Sequence, residues 1–300
     1  MRLTELLNTE NVTISCELFP PKQGAQLDNY KKIVGDMAAL KPAYMSVTYG
    51  ATGGTSDYTV ELANEVRNVN HIPALAHLTC ASSTKEKVAS VIQELKEKQI
   101  ENVLALRGDI PQNADFPLPN QYKHASELIY DIKSQGDFCI GGACYPEGHP
   151  ESQTLEEDLI HLKEKVDAGC EFLTTQMFFD NNILYNFMYK ALKHGIDVPV
   201  VAGIMPITNA NQVKRSIALS GSLVPRRFLA IVDRFGSDPA AMKQAGIAYA
   251  TDQIIDLIAN GVNHVHIYTM NKPDVAGAIL ENLSILFIAV SRVSCGSFPD

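Results

Sequence analysis

The chain has 300 residues, 46% hydrophobic and 20% charged, a composition that indicates a folded globular protein and excludes a disordered or collagen-like chain. Its 25 basic and 34 acidic residues give a formal net charge of -9, which excludes the basic footprint typical of proteins that bind nucleic acid or anionic membranes. The six cysteines include no C-x-x-C pair, so we predict neither a metal knuckle nor a disulfide scaffold, and a reducing compartment is favoured.

The terminal and apolar segments bear on where the protein resides. The first residues lack the basic flank and apolar core of a signal peptide, and the most apolar late stretch, ILENLSILFIAV, is too short and too polar to cross a bilayer. We therefore expect a soluble, cytoplasmic protein with neither a membrane nor a nucleic acid as partner. Any anionic ligand of this acidic chain must be held by local cations.

Short apolar runs alternate with longer amphipathic stretches along the whole chain. The runs predict eight strands, at 12–18, 43–49, 73–79, 102–107, 137–144, 171–176, 198–204 and 263–268. Helices are predicted at 25–40, 57–69, 84–98, 121–134, 152–167, 180–194 and 208–220, then in a longer region at about 225–260 and after Pro273. Thr84 and Asp180 are expected to begin helices, because short polar side chains can accept the first free backbone N–H groups.

The order of these elements predicts the fold class. Eight strand-then-helix units without a linker rich in Gly, Ser or Pro favour a closed barrel over two doubly wound halves. No shift in composition marks a second domain. We therefore predict an α/β protein in which residues 1–300 form a single (β/α)8 TIM barrel, with extra helices between the seventh and eighth strands.

Polar residues close most of the predicted strands. In such a barrel the carboxyl ends of the strands carry the function, so these residues are the candidates for a site. Each one alone is compatible with an ordinary solvent-facing position, but their convergence on one rim predicts a ligand site. The candidates are Glu17, Thr48, Tyr49, His77, Thr79, Arg107, Asp109, Tyr145, Gln176 and Tyr268.

The first strand places a carboxylate inside the predicted barrel. Alternation along VTISCEL sets Ser15 and Glu17 on the face opposite Ile14 and Cys16. A partly desolvated carboxylate has a raised pKa and can act as a general acid near neutral pH. A structural carboxylate that caps neighbouring backbone is the alternative from spacing alone.

Arg107, Gly108 and Asp109 place a cation and an anion on either side of backbone that a ligand can approach closely. The guanidinium suits a phosphate or a flavin-type carbonyl, although the same tripeptide also occurs as a surface turn. Neither a Rossmann fingerprint nor a P-loop is present in the sequence, which disfavours those nucleotide sites. His264 and His266 share one face of the eighth strand, but without a carboxylate at ligand spacing we interpret them as satisfied lumen residues, with no metal site.

Eight motifs occur in a fixed order along the chain: ELFPPK, SVTYGATGG, HLTC, ALRGD, YPEGHPE, KEKVDAGCEFLTTQMFFD, GIMP and HIYTMN. Together they resemble the catalytic domain of the bacterial methylenetetrahydrofolate reductases, over about residues 12–290. The resemblance implies a (β/α)8 flavoprotein of one-carbon metabolism and methionine biosynthesis. Such an oxidoreductase uses NAD(P)H to reduce bound FAD and then passes the hydride to 5,10-methylenetetrahydrofolate, giving 5-methyltetrahydrofolate in a ping-pong relay.

The resemblance also implies roles for individual residues. Glu17 matches the general acid that protonates the folate and opens its five-membered ring, Asp109 a carboxylate near flavin and folate, and Gln176 the residue that orients nicotinamide and folate in turn. Lys272 stands where an arginine contacts the folate. The flavin-binding positions match Thr48, Tyr49, Ala51, His77, Arg107, Gly108, Asp109, Ala125, Tyr145, His149, Asp158, His161 and Lys165. Among these, Arg107 and Lys165 are the expected partners of the diphosphate.

Several positions depart from the enterobacterial pattern. His161 replaces an asparagine, Glu164 an arginine, Leu184 a tyrosine and Ser216 a nicotinamide-stacking phenylalanine. Glu164 would place an anion near the diphosphate, so the hypotheses are weaker binding of FAD or competition by FMN. The loss of stacking at Ser216 is worth roughly 0.5 to 1.5 kcal/mol and leaves the source of reducing equivalents open.

Three functions remain as alternatives. The first is a self-sufficient NADH-dependent reductase, and the second is a flavin- and folate-binding subunit that takes electrons from a partner protein. The third, a folate-binding protein without catalysis, is disfavoured because Glu17, Asp109 and Gln176 are all present. The resemblance implies a homo-oligomer, and because the chain ends at Asp300 we expect no feedback by S-adenosylmethionine. No residue pattern ranks NADH against NADPH.

Overall fold

The computed structural model describes the backbone of residues 1–21, 27–49, 56–81, 83–110 and 116–293. Within it, eight parallel strands form a closed barrel in chain order, and β1 pairs with both β2 and β8. The strands are β1 (Thr13–Leu18), β2 (Met45–Val47), β3 (Ala74–Thr79), β4 (Asn102–Leu106), β5 (Cys139–Cys144), β6 (Phe172–Thr175), β7 (Val200–Ile204) and β8 (His264–Ile267). The predicted (β/α)8 barrel is confirmed, whereas the assignment of residues 1–300 to one domain stays a prediction.

Helices surround the barrel and cover the outward faces of its strands. A π-helical segment, Glu65–Val69, continues α3. The helices are α1 (Leu3–Leu7), α2 (Leu27–Ala38), α3 (Ser56–Asn64), α4 (Lys85–Glu97), α5 (Ala125–Gln135), α6 (Leu155–Asp167), α7 (Asn181–Lys193), α8 (Ala210–Ser220), α9 (Arg226–Phe235), α10 (Pro239–Ala259) and α11 (Pro273–Val293). Thr84 accepts a hydrogen bond from Lys87 N and Asp180 from Asn182 N, so both predicted caps are confirmed.

The side chains of β1 alternate between two environments, as predicted. Ile14, Cys16 and Leu18 belong to the main hydrophobic core between the strands and the surrounding helices. Ser15 and Glu17 instead face the barrel lumen, where Ser15 Oγ lies 2.7 Å from His266 Nδ1. The register of β1 therefore decides that Glu17 lies inside the barrel.

A short helix that the sequence pattern did not predict closes the amino-terminal mouth of the barrel. Leu3 and Leu7 of α1 are buried in a second cluster formed with the beginnings of the strands, at Leu75, Leu104, Phe172 and Val201. The backbone N–H of Leu3 donates to Asn102 Oδ1 at 2.8 Å. Arg2 forms an ion pair with Glu171, 2.8 Å between NH2 and Oε2, so the helix is fixed by both apolar and polar contacts.

The longer helical region predicted at about 225–260 consists of two helices, α9 and α10. Gly236 ends α9, and Asp238 begins α10 by accepting hydrogen bonds from the N–H groups of Ala240 and Ala241. Pro239 at the first position of α10 has no N–H to donate, which suits a helix start. The extra helices α8, α9 and α10 lie between β7 and β8, as predicted, and within the described residues no helix is long and apolar enough to cross a membrane.

Gly246 of α10 allows this helix to touch the segment that follows β7. A Cβ atom at Gly246 would lie 1.8 Å from the carbonyl oxygen of Ile207, which is backbone and cannot rotate away. Gly35 of α2 provides the contrast, because its nearest neighbour, Asn70 Oδ1, is 4.0 Å from the equivalent position.

Substitution by alanine is therefore expected to change the free energy of unfolding in opposite directions at these two helical glycines. Gly246→Ala should lower the free energy of unfolding by roughly 2 to 3 kcal/mol, because the methyl group overpacks against backbone. Gly35→Ala should raise it by about 0.5 to 1 kcal/mol, because alanine loses less backbone entropy in a helix. Urea unfolding of both variants measures the two changes, and equal effects would contradict the close contact of α10.

Candidate active site

Two adjoining cavities open at the carboxyl ends of the strands. The first, which we call the apolar cavity, has a volume of about 350 Å³ and is bordered by Glu17, His77, Tyr145, Gln176, Ser216 and Tyr268 together with apolar side chains. The second, which we call the polar cleft, has about 600 Å³ and is bordered by Tyr49, Arg107, Asp109, His149, Asp158 and Lys165. Leu106, Ala143 and Tyr145 belong to both, so one extended ligand can occupy the two spaces.

Glu17 is the buried acid of the apolar cavity. Glu17 is only 5% exposed, and burial alone, with no hydrogen bond to a described residue, accounts for the shift of its pKa. Burial raises the pKa of Glu17 to about 8, so the carboxyl is protonated at neutral pH. The alternative interpretation, a carboxylate that caps neighbouring backbone, finds no support in the described part of the chain, and the group is a proton donor facing a cavity.

The backbone on either side of Glu17 is held by the loop that follows β8. Thr269 Oγ1 donates to the carbonyl oxygen of Glu17 at 2.6 Å, and the Asn271 side chain exchanges two hydrogen bonds with the backbone of Phe19. Met270 and Asn271 adopt left-handed conformations, with φ of 53° and 56°, which costs free energy for residues other than glycine. These contacts keep the loop in that conformation and fix the end of β1.

His77 and His266 lie in the lumen close to Glu17, and they differ in their partners. His266 contacts Ser15 Oγ through Nδ1 at 2.7 Å and Ser46 Oγ through Nε2 at 3.0 Å. The Nε2 atom of His77 is buried and has no hydrogen-bond partner among the described residues. Burial lowers the pKa of both rings to about 3, so both are neutral. A buried unpaired ring nitrogen at a cavity wall is explained by a ligand that supplies the missing partner.

Gln176 follows β6 and presents its side chain to the apolar cavity. Its backbone N–H donates to the carbonyl of Cys144 at 2.7 Å, which ties it to the end of β5. Its Oε1 atom accepts a hydrogen bond from Met177 N at 2.9 Å. Because the oxygen is engaged in this way, the Nε2 group is the part of the amide that is offered to a ligand.

The polar cleft carries cations and helix ends that suit an anion. Lys165 on α6 is half-buried, donates to the carbonyl of Ala143 at 2.8 Å and has a pKa that burial lowers. Asp158 and His161 lie on the same face of α6, since all three side chains line the cleft. The N-terminus of α5, at Ala125, has no side-chain cap, so its N–H groups and the positive end of its dipole face the cleft.

Arg107 enters the polar cleft already paired. Its NH1 and NH2 groups each donate to one oxygen of Glu151 at 2.6 Å, in a bidentate ion pair. His149 packs edge-on against Tyr145 with ring centroids 4.6 Å apart, and its Nδ1 accepts from Glu151 N. Burial lowers the pKa of His149, so the neutral ring carries its proton on Nε2 and is a hydrogen-bond donor.

The structure brings most of the predicted site residues together, with a few exceptions. Asp109 is exposed on the wall of the polar cleft and does not line the apolar cavity that contains Glu17. Thr48 lines neither cavity, and its carbonyl accepts from Thr59 Oγ1. Lys272 lines neither cavity, and its Nζ donates to Thr208 Oγ1 at 3.1 Å. Ala51 is outside the described residues.

The departures from the enterobacterial pattern divide into two groups. His161 and Glu164 line the polar cleft and Ser216 the apolar cavity, so these three substitutions lie where a ligand would bind. Leu184 is fully buried in the main core instead.

The sequence pattern missed several residues that the fold brings to these cavities. Gln212 lies one helical turn before Ser216 on α8, a spacing that places both on one face, and both line the apolar cavity. Glu151 belongs to the motif YPEGHPE, but the sequence pattern predicted no role for it. The thioethers of Met177, Met205 and Met270 carried no signal in the sequence, because methionine is common in ordinary cores.

Metal binding and disulfides are not indicated in the part of the chain that the structure describes. No group of three or more His, Cys, Asp or Glu side chains there is arranged to hold a metal ion. His264 contacts Thr13 Oγ1 at 2.9 Å, and together with the contacts of His266 this confirms both as satisfied lumen residues. The described cysteines are free thiols and all are buried: Cys16, Cys80, Cys139, Cys144 and Cys170.

These features define a (β/α)8 barrel with a buried, protonated carboxyl beside a cleft lined by cationic side chains. The family model for methylenetetrahydrofolate reductase matches residues 2–284. The chain is 34% identical over 274 residues to a 5,10-methylenetetrahydrofolate reductase of Pectobacterium carotovorum subsp. carotovorum, and 32% identical over 274 residues to one of Escherichia coli (strain K12), in each case over 91% of both chains. The chain belongs to the methylenetetrahydrofolate reductase family.

Two further comparisons concern a longer protein and a more distant one. Methylenetetrahydrofolate reductase (NADH) 1 of Zea mays is 34% identical over 306 residues, which are 98% of this chain and 51% of the maize chain. A solved structure from Clostridium thermocellum, described as an uncharacterized protein that binds two copies of 5-methyl-5,6,7,8-tetrahydrofolic acid, matches with a TM-score of 0.67 at 14% identity, over 96% of this chain and 100% of that one. At that identity the match shows the fold alone.

The buried acid predicts how stability depends on pH. An ordinary carboxyl has a pKa of 4.5 and Glu17 in the folded protein one of about 8, so the unfolded chain loses this proton first as pH rises. Wild-type stability should therefore fall between these values, by up to roughly 5 kcal/mol. Glu17→Gln removes the titrating group. In urea unfolding, the free energy of unfolding of the variant relative to wild type should therefore be higher at pH 8 than at pH 5. A difference independent of pH would contradict the burial of an uncompensated carboxyl.

Proposed function

We propose that this protein is a flavin-dependent reductase that converts 5,10-methylenetetrahydrofolate to 5-methyltetrahydrofolate with NAD(P)H, in a ping-pong hydride relay. The observation that carries the proposal is Glu17, a protonated carboxyl without a described partner, facing a cavity at the carboxyl ends of the strands. A folate-binding protein without catalysis has no need for such a group, because leaving it unpaired lowers the stability of the fold.

The residues around the two cavities fit FAD. The unpaired Nε2 of His77 and the aromatic Tyr145 suit the flavin ring, while Lys165 and the uncapped N-terminus of α5 suit the diphosphate. Arg107 adds a guanidinium at the same cleft. When bound, FAD supplies hydride transfer from the nicotinamide to the folate. The two cavities share Leu106, Ala143 and Tyr145, so a cofactor held by Lys165 and the N-terminus of α5 could extend into the cavity that contains Glu17.

Glu17 is proposed to donate its proton to a nitrogen of the five-membered ring of methylenetetrahydrofolate. The carbon–nitrogen bond then breaks, its electron pair stays on the protonated nitrogen, and the other nitrogen forms a cationic iminium with the carbon. The pKa of about 8 keeps the donor protonated at neutral pH, and the proton-dependent rate should fall as pH rises above that value. Asp109 on the cleft wall would favour the cation electrostatically.

Gln176 and Lys272 are proposed to position the substrates. The free Nε2 of Gln176 would donate to nicotinamide and folate in turn, because its Oε1 is already engaged by Met177 N. Lys272, whose Nζ donates to Thr208 Oγ1, would offer its ammonium group to an acidic end of the folate. Ser216 is smaller than the aromatic residue that would stack on the nicotinamide, so the cavity is wider at this point. The nicotinamide therefore has fewer apolar contacts there.

The central experiment is an anaerobic stopped-flow measurement at the flavin absorbance maximum of protein reconstituted with FAD. Wild-type absorbance should fall on mixing with NADH and recover on mixing with methylenetetrahydrofolate. Glu17→Gln should retain the fall and lose the recovery, because only the folate step needs the proton.

Other outcomes of this measurement separate the alternatives. In one outcome NADH leaves the absorbance unchanged, while the folate still reoxidises protein that dithionite has reduced. That result would contradict the self-sufficient reductase and support a subunit that receives electrons from a partner protein. Recovery at the wild-type rate in Glu17→Gln would contradict the role of the acid. If neither ligand changes the flavin absorbance, the proposed function is wrong.

Glu164 predicts a cofactor affinity below that of relatives with an arginine at this position. The carboxylate is exposed at the edge of the polar cleft, where an anionic diphosphate would bind. Glu164→Gln should tighten FAD about fivefold, the scale set by roughly 1 kcal/mol between unit charges about 4 Å apart in water. Titration of the apoprotein, followed by quenching of flavin fluorescence, measures the change, and FMN titrated in parallel shows whether the shorter flavin competes.

Glu156→Gln is the matched control for this measurement. It removes the same charge from α6, but on the side that faces His194, the residue after α7, rather than the cleft. The control should leave the FAD dissociation constant unchanged. Equal changes in both variants would attribute the effect to net charge instead of to the cleft.

A further inference from the structure

The peptide unit between Thr175 and Gln176 is fixed at both ends. Its N–H, which belongs to Gln176, donates to the carbonyl of Cys144 on β5 at 2.7 Å. Its carbonyl oxygen, which belongs to Thr175, accepts a hydrogen bond from the hydroxyl of Tyr268, the residue after β8. Two hydrogen bonds in opposite directions leave this peptide plane little freedom to rotate, and its plane sets the direction in which the Gln176 side chain leaves the backbone.

Tyr268 reaches Thr175 by crossing over the strand that lies between them. β7 separates β6 from β8 in the barrel, and Gly203 is the residue of β7 beneath the tyrosine. A Cβ atom at Gly203 would lie 2.6 Å from the hydroxyl oxygen of Tyr268 and 2.5 Å from the carbonyl oxygen of Thr175. The N–H of Gly203 also donates to Thr175 Oγ1 at 2.8 Å, so β7 supports the same residue from below.

The tyrosine itself is held in place and belongs to the cavity wall. Its backbone N–H donates to the carbonyl of Ile204 at 2.9 Å, and its ring packs edge-on against His266 with centroids 5.5 Å apart. The ring lines the apolar cavity together with Glu17 and Gln176. Burial raises the pKa of Tyr268 well above its ordinary value, so the hydroxyl keeps its proton and remains a donor.

We propose that Tyr268 is a positioning residue, which acts through the carbonyl of Thr175 to hold the Gln176 amide toward the ligand in the apolar cavity. The catalytic part of this inference rests on the proposed function, in which Gln176 orients the folate. Loss of the hydroxyl releases one end of the peptide unit and lets the Gln176 side chain sample other directions. Misplacement of a positioning group by small distances is sufficient to slow a reaction substantially.

Tyr268→Phe tests the proposal, with Tyr249→Phe as the matched control. Tyr249 on α10 is also buried and also donates its hydroxyl to a backbone carbonyl, that of Phe179 at 2.7 Å, but it lies outside both cavities. The two variants remove the same kind of hydrogen bond, so similar losses of stability are expected from both. Only Tyr268→Phe should slow reoxidation of the reduced, FAD-reconstituted protein by methylenetetrahydrofolate, by about tenfold.

A double-mutant cycle shows whether the effect passes through Gln176. If Tyr268 acts by positioning that amide, Tyr268→Phe should have no further effect in a Gln176→Ala background. Additive losses in the double variant would overturn the proposal, as would a wild-type rate in Tyr268→Phe alone. Equal slowing in the Tyr249→Phe control would also overturn it, since a general loss of stability would then explain the result.

A readout that needs no catalysis separates this inference from the proposed function. In ¹⁵N-labelled protein, the side-chain amide signals of Gln176 can be assigned by their disappearance in Gln176→Ala. They should shift or broaden in Tyr268→Phe and stay in place in Tyr249→Phe. Unchanged signals in Tyr268→Phe would overturn the positioning role, whereas shifted signals in a protein that does not reduce the folate would refute the proposed function alone.

Discussion

Pairing between β1 and β8 is the constraint on which the rest of the molecule depends. It joins the first strand to the last, so the carboxyl ends of all eight strands meet in one ring. Inside the lumen the junction is reinforced by His266, whose two ring nitrogens contact Ser15 on β1 and Ser46 on β2. Glu17 lies two residues beyond Ser15, so closure of the barrel also determines where the buried acid is held.

The strands could be predicted because their signal is local. Alternating or continuous apolar runs reflect burial on one or both faces, and polar caps such as Thr84 mark helix starts wherever the chain folds. Helix α1 could not be predicted in this way. Five residues are too few for a helical period, and a helix this short is unstable in isolation, so it exists only because distant strands bury Leu3 and Leu7.

The part of the candidate site that lies at the ends of the strands could be predicted from the sequence. Glu17, His77 and Gln176 were found because the end of a barrel strand is a defined place in the fold. Gln212 and Glu151 come from a helix and a loop, and their approach depends on the tertiary path of those segments. The bond from Tyr268 to Thr175 depends on an intervening strand without a side chain at the crossing point, a relation among three distant segments that local pattern does not encode.

The closure of the barrel floor by α1 ties a five-residue helix to side chains far along the chain. Leu3 and Leu7 pack against residues as distant in sequence as Val201 on β7. The two leucines therefore lack part of their cover until the seventh strand is in place. Contacts so distant in sequence slow folding and prolong the time during which apolar surface is available to other chains.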